Sequence, residues 1–203
     1  MDEIGVGDKV KGFLFNPIET FKKVREETLG EGLKYFVIFL FIYSILSAIV
    51  ITATWNTMWG SIFSSYENIP GFGALFQSGA AVSIFAFFIM FLLFGLIGIF
   101  ISGAIIHLGV ILFGGKRGYK ETVKVLIYGG TPSYIFGWIP LIGPIFAIWA
   151  FILEIFGIRE LQDLSTGRAL AAILVPILII GFLLTIVIAA AVYLYVSSML
   201  SPQ

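Results

Sequence analysis

The 203-residue sequence contains no cysteine, which removes disulfides, thiolate nucleophiles and cysteine metal sites together. Histidine occurs once, at His107, so a paired-histidine metal site such as HExxH is excluded as well. No GxSG string is present, and the Gly115-Lys116 pair is followed by neither Ser nor Thr, so it is not a phosphate loop. The usual parts of metal, serine and nucleotide chemistry are therefore missing. No enzyme activity, cofactor, metal or nucleic-acid partner is expected. Charge is also scarce, at 12% of residues against about 25% in a soluble domain.

What fills the chain is apolar: 59% hydrophobic and 16% aromatic residues, with a mean hydropathy of +1.05. This composition predicts an all-α integral membrane protein. Three runs, Gly32 to Thr54, Val82 to Phe113 and Leu170 to Val196, reach the roughly 20 residues that a bilayer core requires. Residues 123–158 are apolar but interrupted by Pro132, Gly137, Pro140, Gly143 and Pro144. They read as two short spans joined by a turn at "WIPLIGP", with Trp138 at the interface, giving about five spans in all. The other reading is one re-entrant hairpin, and either needs the hairpin packed on the longer helices. The organisation expected is a cytoplasmic segment over 1–31 and a five-helix membrane domain over 32–198.

Basic residues number six in 1–34, four in 116–124 and two in 159–168, with none in 55–81, 137–143 or after 197. By the positive-inside rule the N-terminus is cytoplasmic and the C-terminus lies outside the cell membrane. No apolar run of signal-peptide length precedes the first span, so that span is expected to direct insertion itself.

Asn16-Pro17-Ile18-Glu19 has the form of a helix start, with Asn16 as N-cap and Pro17 at the first helical position. Ile18, Phe21 and Val24 form one stripe, and Glu19/Lys23, Lys22/Glu26 and Lys23/Glu27 stand at i,i+4 spacing. A short amphipathic helix lying on the cytoplasmic headgroups is expected. The 55–81 loop carries Trp55, Trp59 and Tyr66 but only one charge, Glu67, and is expected to lie along the outer headgroups. On the second span, Gly95, Gly98, Ser102, Gly103 and Gly109 allow close backbone approach, within the monomer or across a homodimer.

Two ionisable residues fall inside the membrane at similar depth, His107 and Glu154. They either couple as a proton-handling pair, or are held apart, with Glu154 paired to Lys116, Arg117 or Lys120 and His107 bonded to a backbone carbonyl. The string "GGKRGYKETVKVLIYGGTP" (114–132) joins a basic cluster to a helix break. Lys116, Arg117, Lys120 and Lys124 either anchor this end against anionic headgroups or dock a lipid or protein partner. Gly118 turns the chain into a helix beginning near Tyr119.

This string, its continuation through Pro140 and Pro144, the run "GIRELQDLSTGRA" before Pro176, and "NPIETF" near the start resemble the Yip family of Ypt/Rab-interacting membrane proteins, in its prokaryotic branch. The Asp-Leu-Tyr-Gly-Pro motif and long hydrophilic N-terminal region of eukaryotic members are absent. The resemblance therefore implies the membrane fold and a non-catalytic role as a scaffold or adaptor that binds membrane lipids or a peripheral or membrane protein, and leaves Rab binding aside. The alternative is a small transporter or lipid-handling protein built on the broken hairpin with His107 and Glu154.

Overall fold

The computed structural model describes residues 4–55 and 79–200, all helices and turns with no strand among them. The expectation for the loop around Trp59, Tyr66 and Glu67 lies outside the described residues. Two short helices open the chain, α1 (Val6–Phe15) and α2 (Pro17–Lys23), followed by a single 3-10 turn at Val24–Glu26. The expected start of α2 at Pro17 is present, although the Asn16 side chain makes no cap bond. The i,i+4 ion pairs give way to others: Lys22 bonds Glu19 at 2.8 Å one turn back, and Glu27 is taken by Lys9 of α1 at 2.8 Å. The Lys22 hydrogen bond and charge hold the exposed Glu19 carboxyl below its usual range. The stripe expected to face headgroups faces protein instead. Phe21 and Val24 are fully buried, and the Phe21 ring meets Phe13 edge-on at 4.9 Å.

The long helices are α3 (Leu29–Thr54), α4 (Ala80–Leu112) and, at the C-terminal end, α8 (Thr166–Leu200). Between them come α5 (Tyr119–Gly129), α6 (Thr131–Phe136) and α7 (Gly143–Leu161). A reciprocal capping box starts α3: Glu31 N–H donates to Thr28 Oγ1 at 3.3 Å, and Thr28 N–H donates to Glu31 Oε2 at 2.5 Å. Among the described residues α3, α4 and α8 are the three helices long and apolar enough to cross a membrane. The five spans expected from sequence would also need α5–α6 and α7 to cross, and these helices have only 11, 6 and 19 residues.

α3 and α4 pack antiparallel, with Leu40 against Gly95 and Phe41 edge-on to Phe88 at 5.3 Å. Gly103 receives Val123 of α5, and Gly109 abuts the Ala172 carbonyl and the Pro176 ring of α8. Three of the small residues on α4 therefore serve contacts within the chain, whereas Gly98 faces open space. Beyond Pro176, α8 leaves the bundle and exposes apolar side chains from Ile177 to Val196.

α5 and α6 run back along α7. Val125 lies against Gly157, Gly129 against Glu154, and Phe136 stacks on Phe146 at 4.3 Å. Pro140 falls in the connecting turn and Pro144 in the first turn of α7. Pro132 has no N–H to give the Tyr128 carbonyl four residues earlier. The Thr131 hydroxyl donates to that carbonyl at 2.6 Å, and Tyr35 Oη of α3 lies 2.9 Å from the same hydroxyl. The Leu126 carbonyl is met by protein as well: Leu126 O takes Gly130 N–H at 3.0 Å and Tyr134 O–H at 3.3 Å. Phe13, Phe21 and Val24 share one buried cluster with Tyr35, Tyr128, Leu153 and Ile158, so the N-terminal helices are part of the core.

Candidate functional site

The charged residues gather at one end of the bundle, where the N-terminal segment crosses the hairpin. Lys124 is 2% exposed; its ammonium donates to the carbonyls of Arg25 at 2.8 Å and Glu27 at 2.7 Å and pairs with Glu121 at 3.0 Å. Those carbonyls lie where the 3-10 turn ends and the chain has no helical partner to offer them. The Glu27 side chain accepts from Lys9 and from the Tyr128 phenol. Tyr128 in turn stacks on Phe13 at 5.3 Å and lies under the Lys9 ammonium at 5.7 Å. Arg25 forks onto Asp163 at 2.7 and 2.9 Å and donates to the Glu160 carbonyl at 2.9 Å. Asp163 holds a left-handed φ of 55° just past the end of α7, a conformation that Asp tolerates better than most residues.

A second clamp fixes the basic loop. Gln162, 1% exposed, accepts from the Arg117 backbone N–H at 3.1 Å and donates to the Gly118 carbonyl at 2.9 Å and to Thr122 Oγ1 at 3.0 Å. Gly118 has φ +85°, a backbone that favours glycine, which lets the loop turn directly into α5. The six residues singled out as one basic surface therefore divide. Lys116 and Lys120 are exposed and Arg117 is half-buried, whereas Lys124 lies inside and Tyr119 donates to the Phe100 carbonyl at 2.7 Å. Lys11, Lys23 and Arg168 add exposed positive charge at the same end, whereas Lys22 is paired with Glu19, and Asp8 and Glu26 are exposed there as well.

His107 and Glu154 make no bond with one another. His107 Nδ1 lies 2.9 Å from Thr122 Oγ1, with its ring edge-on to Tyr119 at 5.7 Å. Glu154 lies against Gly129, where an added methyl would come within 3.0 Å of its Cγ. Neither a pairing of Glu154 with Lys116, Arg117 or Lys120 nor a carbonyl partner for His107 is formed among the described residues. Glu154 instead lines a cavity of about 820 Å³ bounded by α3, α4, α6 and α7, with Leu126 of α5.

Gly5-Val6-Gly7-Asp8 spells a Gly-x-Gly-Asp string, but Asp8 is exposed in the first turn of α1 and is not part of any of the three long apolar helices. No cluster of three or more metal-ligating side chains occurs among the described residues.

Residues 11–199 match the family model of the Yip1 domain. The chain belongs to the Yip family. The match starts inside α1, so the α2 contacts with α7, the Lys124 clasp and the Gln162 clamp all lie within the matched region. A comparison with curated proteins and one with solved structures give no match. In this Yip chain the site residues not singled out from the sequence include Lys9, Arg25, Glu27, Thr122, Tyr128, Gln162 and Asp163. Of these, Gln162 was open to notice, because an amide amid charged residues at the end of an apolar helix is a ready partner for the loop before the next one.

Proposed function

We propose that this Yip-family protein, of the prokaryotic branch, is a non-catalytic scaffold of the cell membrane whose basic end faces the cytoplasm and docks anionic lipid or a peripheral protein. The observation that carries this reading is the fastening of residues 4–27 across the hairpin by Lys124, Tyr128 and Arg25, which turns three separate basic segments into one rigid face. Preorganised charge binds with less loss of side-chain and loop freedom than charge on loose loops.

In this reading the N-terminus and the loops at 114–121 and 159–168 are cytoplasmic, the C-terminus is outside, and residues 32–198 form the membrane domain. The hairpin is re-entrant. Supporting this, Gly137, Gly143 and Pro144 at its tip share the cavity with Tyr43 and Phe91, residues in the interior of α3 and α4. From Tyr43, α3 continues for eleven residues to Thr54, about 16 Å further. Both readings of the hairpin keep the same sidedness for the basic loops. A proton-coupled transporter through His107 and Glu154 has less support, since His107 bonds Thr122.

The test changes Lys116, Arg117 and Lys120 together to Gln. Up to about 3 kcal/mol of attraction to an anionic surface is removed, at about 1 kcal/mol per basic residue. Protein in neutral-lipid nanodiscs should lose binding to anionic vesicles, and the wild-type binding should weaken as salt rises. Unchanged binding by the correctly inserted variant would rule out docking through this loop.

A further inference from the structure

The cavity of about 820 Å³ lies within the range of small-molecule sites and is separate from the basic face. Its wall is mostly apolar, contributed by Leu40, Phe91, Phe94 and Ile99 among others, and two of the helices that line it, α3 and α4, are long and apolar enough to cross a membrane. Glu154 is the one carboxylate in the lining, and no Lys, Arg or His accompanies it among the described residues there. Of the four hydroxyls in the lining, Tyr134 donates to the Leu126 carbonyl at 3.3 Å and Ser133 to the Phe146 carbonyl at 3.3 Å, while Tyr43 and Ser102 make no bond to Glu154. No hydrogen bond from a described residue reaches the Glu154 carboxylate. An acid in an apolar cavity with no partner of its own is complementary to a ligand that brings the donor.

We propose that this cavity binds a single-chain amphiphilic amine, with the ammonium donating to Glu154 and the alkyl chain lying along the wall formed by α3 and α4. The charge pattern selects the class. A phosphate-bearing headgroup would bring an anion beside Glu154 with no basic side chain in the lining to receive it, and a fatty acid would set two carboxylates together. A chain alcohol would fill the same space with only a neutral hydrogen bond. The site does not depend on docking at the basic face, so the two can fail separately.

The test uses the full-length protein purified in detergent and three probes of equal chain length: dodecylamine, dodecanol and dodecanoate. Wild-type protein should bind the amine about tenfold more tightly than the alcohol, the margin of a charge-assisted over a neutral hydrogen bond, and the carboxylate least. Glu154→Gln should bring amine and alcohol to equal affinity. Gly98 lines the cavity and an added Cβ there meets nothing within 4 Å, so Gly98→Phe should fill the space and weaken all three probes. Retention of the amine preference by the Gln variant, or binding unaffected by the Phe variant, would overturn the proposal. So would dodecanoate binding as tightly as the amine.

Discussion

Lys124 donates its ammonium to the Glu27 carbonyl at 2.7 Å, joining positions 97 residues apart in sequence. A lysine in the basic stretch of a membrane protein is ordinarily assigned to headgroups. This one is enclosed by protein, and its neighbours Lys116 and Lys120 are not.

Removing that lysine should therefore behave unlike removing the others. Lys124→Met leaves Glu121 and two carbonyls without their cation and should cost about 3 kcal/mol, in the range for breaking a buried charge network. Lys116→Gln should change stability by no more than about 0.5 kcal/mol. Thermal unfolding in one detergent ranks the two variants, and equal melting temperatures would contradict the buried clasp.

Tyr128→Phe keeps the stack on Phe13 and deletes only the phenol bond to Glu27. A hydrogen bond to a charged group is worth about 1.5–3 kcal/mol, so a loss in that range is expected. Limited proteolysis within residues 4–27 should accelerate in the variant. A cleavage rate matching wild type would mean that the phenol does not help hold the segment down.

Gln162→Ala unfastens the loop from below. Its three bonds end on Arg117, Gly118 and Thr122, so hydrogen exchange at the Arg117 amide should rise while exchange along α3 stays unchanged. If the Arg117 amide stays as protected as in wild type, the clamp is not what orders this loop.

Two glycines on the same helix should respond in opposite ways to Ala. At Gly109 the new methyl would collide with the Ala172 backbone, which cannot rotate away, so α4 and α8 must separate at a cost of about 1–3 kcal/mol. At Gly98 the methyl meets nothing, and the helix gains up to about 1 kcal/mol in propensity. Comparable destabilisation at both sites would argue against the close contact of α4 with α8.

The long helices were legible because an apolar run of that length carries its own meaning, and the positions of α3, α4 and α8 fall within a few residues of expectation. Tyr119 at the start of α5 was legible too, because Gly118 marks the turn. The clasp was not. Its acceptors are backbone carbonyls at 25 and 27, which carry no side-chain signature, and Lys124 has the same side chain as the exposed lysines beside it. α1 was hidden for a different reason: Gly7 and Gly12 interrupt its apolar positions and lower its intrinsic helix propensity. Thr28 and Glu31, three apart just before an apolar run, do spell a helix start, in a segment dense enough in charge to mask it.

The clasp also imposes an order of assembly. Residues 25 and 27 leave the ribosome long before residue 124, and at synthesis rates of 5–20 residues per second the wait is roughly 5 to 20 s. Phe13, Phe21 and Val24 have no hairpin to bury against during that interval, because Val125, Tyr128 and Gly157 have yet to be made. The N-terminal helices can therefore close only after the hairpin residues have been made. Closure of residues 4–27 waits on the hairpin, and this segment in its docked position marks a molecule whose hairpin is already made.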